Sequence, residues 1–167
     1  MKKAHNNIYS FGEKRELKMS YIRTPKDIWR ELIDEFNFTV DACASDKNHL
    51  IEKYWTKEMD ALEQNWDGEI IYCHPMFDSN IPKFIKKASE SDCLTVFLLP
   101  ASTNSLYFHK YFWDYKQCKS YPNVEVRFLP KVDNHGGYKF ADENGEEPKT
   151  GYLRPLMVVV MKGNKHD

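Results

Sequence analysis

Ile28, Leu32, Ile33 and Phe36 recur at helical spacing, and Trp29 widens their stripe, so the chain after Thr24 reads as an amphipathic helix. Thr24 is a favoured N-cap and Pro25 suits the first helical position. Asp27 then puts an acid in the first turn, where the helix dipole favours it. The period changes at Phe38-Thr39-Val40-Asp41-Ala42-Cys43, a short β-rich run that predicts a strand delivering Asp41 to its carboxyl end. Ser45 to Asn48 is loop. Tyr54 to Leu62 is ambiguous, with Thr56 placed to cap a short helical turn. Asp67-Gly68 is a turn signal that launches a strand from Glu69 to Cys73. Ile81, Phe84, Ile85 and Ala88 share one face opposite Lys83, Lys86 and Lys87, which predicts a surface helix from Ile81 to Ser91. Leu94 to Pro100 is the most apolar run and reads as a parallel strand covered on both faces. Ser105 to Trp113 is aromatic-rich and predicted helical, and its rings are expected in the core. Asn123 to Leu129 alternates as a half-exposed strand does. Asp133 to Gly151 holds four of the seven glycines and reads as a long loop or loose hairpin before a last buried strand, Leu156 to Met161.

Strands alternating with helices predict an α/β fold, a mostly parallel sheet with helices on both faces. At 167 residues the chain has the length of one domain, placed at residues 21–162. Residues 1–20 are polar and aperiodic and read as a flexible N-terminal arm, with 163–167 as a tail. A hydrophobic content of 41% with 29% charged residues predicts a folded, soluble globule rather than a disordered chain. No apolar run approaches the ~18 residues of a membrane span, and no signal core follows Met1-Lys2-Lys3, so the expected location is the cytoplasm. The net charge of -1 carries no broad polyanion-binding signal.

Candidate chemistry concentrates after the Glu69–Cys73 strand, in His74-Pro75-Met76-Phe77. Ligands of open α/β sheets sit past the carboxyl ends of strands, so a polar-Pro-x-aromatic loop there is a candidate active site. The four cysteines (Cys43, Cys73, Cys93 and Cys118) are widely spaced, with no Cys-x-x-Cys, and are expected to be reduced thiols. No ligand spacing supports a metal site.

Several stretches taken in order resemble a known family. They are Thr24-Pro25 with Trp29, then Phe38 to Ala44, Asn48, Tyr54-Trp55-Thr56, Asp60-Ala61-Leu62 and Trp66. Lys86-Lys87-Ala88, Val96 to Thr103, Phe108-His109 and Pro155 to Val160 complete the set. Together they resemble the phage-type DNA N-6-adenine methyltransferases, the Dam family of phage and prophage genes. The resemblance implies a Rossmann-like fold that binds S-adenosylmethionine and methylates adenine in double-stranded DNA, in a phage- or prophage-encoded protein. It also implies that Thr24 and Pro25 line the methionine end of the cofactor and that Asp41, Ala42, Cys43 and Ala44 form the cofactor loop. Asp60 corresponds to a second cofactor-side acid. His74, Pro75, Met76 and Phe77 occupy the catalytic loop, which is Asn/Asp-Pro-Pro-Tyr/Phe in the resembled pattern.

That loop has a physical rationale. The adenine amine is a poor nucleophile because its lone pair is delocalised into the ring. Accepting both amine hydrogens, at a side chain and at a main-chain carbonyl, pyramidalises the nitrogen. The base must first leave the duplex, and an aromatic ring recovers some of that energy by stacking. Pro75 and Phe77 keep the carbonyl and the ring, but His74 replaces the amide or acid and Met76 the second Pro. A neutral imidazole has one acceptor, and Met leaves free a φ angle that Pro fixes. Three readings stay open: a slow adenine methyltransferase, an enzyme with another acceptor, or a fold that binds cofactor, nucleic acid or a host protein without catalysis.

Overall fold

The computed structural model describes residues 23–132, 137–142 and 144–164. The predicted N-terminal arm lies outside them. Helix α1 spans Lys26–Glu35 and buries Ile28 and Leu32, while Ile33, expected on the same face, is 45% exposed. Strand β1 is short, Val40–Asp41, because Phe38 leaves the ladder to pack its ring against Trp29 and Tyr72. A 3-10 turn at Ala61–Glu63 resolves the ambiguous stretch, capped by Asp60 rather than Thr56. Strand β2, Ile70–Cys73, follows Gly68, whose φ of +80° a side chain would strain. Helix α2 (Ile81–Ser89) and strand β3 (Leu94–Pro100) follow where the apolar pattern puts them.

The aromatic-rich stretch is not an ordinary helix. It forms a π-helical turn, Phe108–Phe112, and then a small hairpin of β4 (Trp113–Asp114) with β5 (Lys119–Ser120). Its rings do serve the core: Phe108 and Phe112 are buried. Strands β6 (Val124–Phe128) and β7 (Leu156–Lys162) complete a five-stranded sheet ordered β1-β2-β3-β7-β6.

The fold is a mixed α/β one. β1, β2 and β3 pair in parallel, but β7 is antiparallel to both β3 and β6. The expectation of a mostly parallel sheet therefore holds only at the β1 end. The reason is local: β6 and β7 are neighbours joined by a glycine-bearing connection whose described residues hold no crossover helix, so β7 returns antiparallel. Within that connection Tyr152 N–H donates to the Tyr138 carbonyl at 2.9 Å, a loose hairpin contact. Gly137 and Gly151 make it fit, since a Cβ on either would overlap the backbone of the facing segment.

Alternation along the strands divides the apolar side chains between two clusters. Tyr72, Val96, Leu98, Leu156 and Val158 pack with Ile28 and Leu32 of α1. Ile71, Cys73, Phe97, Leu99, Met157 and Val159 pack with Ile81, Ile85 and Ala88 of α2 and with Phe108 and Phe112. The described residues hold two α-helices, so helical cover is thin. No helix among them is long and apolar enough to cross a membrane.

The start of the predicted tail is anchored. Gly163 is buried, and its N–H donates to the Cys93 carbonyl at 2.9 Å. A Cβ there would overlap the carbonyl oxygens of Ala88 and Ser91. Gly163→Ala is expected to destabilise the protein by about 1–3 kcal/mol, the usual range for overpacking a filled site, as read by urea denaturation. An unchanged midpoint would contradict that packing.

Candidate active site

Parallel pairing of β1 with β2 sets Asp41 opposite Tyr72, so residues 41–44 and 73–77 leave the sheet side by side at its carboxyl edge. Ala42 N–H continues the ladder to the Tyr72 carbonyl at 2.9 Å, and the Cys43 and Cys73 sulfurs lie 3.6 Å apart. On its other side β1 is held by residues 53–55: Asp41 N–H donates to the Lys53 carbonyl and Trp55 N–H to the Asp41 carbonyl.

Asp41 is 3% exposed. Its carboxylate accepts the Leu50 N–H at 3.2 Å and the Cys43 N–H at 3.4 Å. Burial outweighs those two long bonds and pushes the carboxyl up to about 6 from 3.8. A buried carboxylate with two long hydrogen bonds still has lone pairs to offer, which suits a ligand that brings hydroxyl or amine donors.

His74 lies just past β2. Its Nδ1 is 3.2 Å from the Thr24 hydroxyl, which is 2.6 Å from the Tyr72 hydroxyl. Thr24 therefore does not cap α1, as its position before Pro25 implied; no side chain among the described residues caps that helix, and the hydroxyl faces Tyr72 and His74 instead. His74 Nε2 is buried with no hydrogen-bond partner among the described residues. Burial lowers the imidazole to about 4 from 6.5, so it is neutral at pH 7.

Rings surround it. His74 sits 5.4 Å from Phe77 and 5.5 Å from Phe140, and Phe140 meets both Phe77 and Tyr152 edge-on at 5.8 Å. Phe140 and Tyr152 escaped the sequence reading because both belong to the connection before β7, whose pattern shows no periodicity. Beside Tyr152 a cavity of about 200 Å³ opens between Leu129–Lys131 and Leu153–Leu156, adjoining the cluster rather than penetrating it.

The remaining predicted residues divide clearly. Pro75 is buried, and its carbonyl accepts no hydrogen bond from the described residues, whereas the Met76 carbonyl accepts the Asp78 N–H at 2.8 Å. The Met76 side chain is exposed. Pro25, Ala42, Cys43 and Ala44 lie on the segments flanking Asp41 and Thr24. Asp60 stands apart: it is exposed, adopts φ 48°, and its carboxylate accepts the Leu62 N–H at 3.0 Å as a cap. No contact among the described residues joins it to Asp41 or His74.

No curated protein matches this chain. A family model described as DNA N-6-adenine-methyltransferase (Dam) matches residues 14–165. That span includes the β1 and β2 carboxyl edges, the aromatic cluster and every strand of the sheet, and with most of the sequence matched, the chain belongs to the DNA N-6-adenine-methyltransferase (Dam) family.

Proposed function

We propose that the protein transfers a methyl group from S-adenosylmethionine to the exocyclic amine of an adenine flipped out of double-stranded DNA, on a Rossmann-like methyltransferase scaffold. The observation that carries this reading is the adjacency of Asp41 and the His74–Phe77 loop at the carboxyl ends of neighbouring parallel strands. Asp41, with Ala42, Cys43 and Ala44, would hold the cofactor, its under-bonded carboxylate fitting the donors a nucleoside brings. Thr24 and Pro25 close the same side, while Asp60 is left to its capping role. When bound, S-adenosylmethionine supplies an electrophilic methyl on sulfur.

The chain's own residues do the rest. The free Pro75 carbonyl is available to one amine hydrogen, and the Phe77 ring provides a stacking face in exchange for neighbouring bases. His74 stands where the resembled pattern has its second acceptor. Phe140 fills the space beside both rings, so a base enters only as Phe140 withdraws. Such a protein would act in the cytoplasm of a bacterium, on phage or host DNA.

The packing of His74 favours a second reading, a member of the family that binds cofactor or DNA but transfers slowly or not at all. Missing one oriented hydrogen bond at a developing charge costs on the order of a hundredfold in rate. The test compares the parent with His74→Asn,Met76→Pro, using labelled S-adenosylmethionine and unmethylated DNA followed by nucleoside analysis. The enzymatic reading predicts labelled N6-methyldeoxyadenosine from both, with the variant about a hundredfold or more faster. An inert parent beside an active variant would establish the second reading, and no label from either would defeat the first.

A further inference from the structure

We infer that His74 serves the site as a hydrogen-bond donor that reads the ring nitrogen of an amino-bearing base, held in that tautomer by Thr24, and does not accept the amine hydrogens. This rests on the base-pocket reading above and specifies how the base is chosen.

Three groups form a chain, the Tyr72 and Thr24 hydroxyls buried and His74 Nδ1 in a half-buried contact, with separations of 2.6 and 3.2 Å. Tyr72 is protonated at neutral pH, since burial raises its phenol further above 10. Its proton has Thr24 as partner among the described residues, so Tyr72 donates and the Thr24 oxygen accepts. The Thr24 proton then points to Nδ1, which must be the lone-pair nitrogen. The ring proton is consequently on Nε2, the atom buried without a partner. This arrangement leaves one group unsatisfied.

The opposite tautomer leaves two. With the proton on Nδ1, either the Thr24 or the Tyr72 hydroxyl hydrogen loses its acceptor, and the Nε2 lone pair still finds nothing. Each additional unsatisfied buried group disfavours a state by roughly tenfold or more. His74 Nε2–H is therefore a donor waiting for an acceptor, with no partner among the described residues.

An adenine edge supplies that acceptor. N1 accepts, and the neighbouring amine donates, which complements His74 Nε2–H beside the free Pro75 carbonyl. Guanine and thymine present an N–H where His74 has its own, so like donors meet. Cytosine offers the same donor–acceptor order as adenine on a smaller ring. Binding N1 through a donor also draws the amine lone pair further into the ring, so the base is read well and activated poorly.

Two measurements test this. Nitrogen-labelled histidine in the free protein should show His74 protonated at Nε2, with Thr24→Ser preserving that signature and Thr24→Val abolishing the bias. A His74 protonated at Nδ1 in the parent would overturn the assignment, whether or not the protein methylates DNA. A homopolymeric deoxyadenosine oligonucleotide should bind about tenfold more tightly than one built from 1-deaza-2′-deoxyadenosine, and His74→Ala should erase the difference. Equal binding of the two by the parent would remove the base-reading role, while the spectrum and the methylation assay would still report tautomer and activity separately.

Discussion

Asp41→Asn is expected to weaken S-adenosylmethionine binding at least tenfold by calorimetry while making the folded protein more stable at pH 8. The carboxyl has a folded value of about 6 against an ordinary 3.8. The folded state therefore holds its proton more tightly than the unfolded state does. Stability from this group is fully present below about pH 4 and is lost as pH rises through 6. At pH 8 the loss amounts to roughly 3 kcal/mol, and with the side chain 3% exposed little of it is screened. An Asn amide never ionises, but it keeps one acceptor where the carboxylate used two, which returns about 1 kcal/mol. The variant should thus be about 2 kcal/mol more stable than the parent at pH 8 and slightly less stable at pH 4. His74 has the opposite sign: its folded value near 4 lies below 6.5, so stability is lost as pH falls from 6.5 toward 4. In Asp41→Asn that dependence adds to the same-signed one from Glu35 and Glu69, whose carboxyls are held low by hydrogen bonds from Arg127 and Lys53, so melting temperature should rise from pH 4 to 6.5. Equal stabilities at pH 8 with undiminished cofactor affinity would show that Asp41 is a strand-end turn former and nothing more.

Phe140→Ala is the second large effect, because here the ring is both a packing element and an obstacle. Phe140 is 8% exposed and is held by His74, Phe77 and Tyr152. Truncating a buried Phe typically removes 3–5 kcal/mol. Its segment carries no regular structure and can partly collapse, so about 3 kcal/mol is expected from urea denaturation. The same truncation opens the space beside Phe77 and His74. A deoxyadenosine oligonucleotide should then bind severalfold more tightly than to the parent and raise the variant's melting temperature more than the parent's, since binding to the folded state alone adds stability by mass action. Weaker binding, together with the stability loss, would mean that Phe140 is a wall of the pocket rather than its plug.

The sheet edge was legible in the sequence, and the closure of the site was not. Leu94–Pro100 is apolar but for Thr95 and ends at Pro, and Ile81, Ile85 and Ala88 keep helical spacing; a pattern that strong fixes an element whatever surrounds it. Asp41 and the His74 loop could be placed because each ends such a strand. Thr24 departs from the cap expectation for a physical reason. A Thr before Pro satisfies every local rule for a cap, but a buried Tyr72 hydroxyl forty-eight positions away competes for the same oxygen and wins. Phe140 and Tyr152 come from a connection held by two facing glycines and a backbone hydrogen bond, none of which leaves a periodic trace. The direction of β7 was hidden likewise: a buried apolar strand reads the same forwards and backwards, and only its pairing with β3 and β6 decides. Asp60 entered only through the resemblance, and the structure gives it a local role as the cap of a 3-10 turn at φ 48°.

The claim beneath all of this is that the carboxyl edge shared by β1 and β2 is where S-adenosylmethionine lies. Titrating the labelled protein with cofactor carrying an isotopically marked sulfonium methyl, and mapping through-space transfer from that methyl, tests it most directly. Transfer to protons of Asp41–Ala44 and His74–Phe77 is the predicted result. Saturable binding with transfer elsewhere, or no binding at millimolar cofactor, would contradict it.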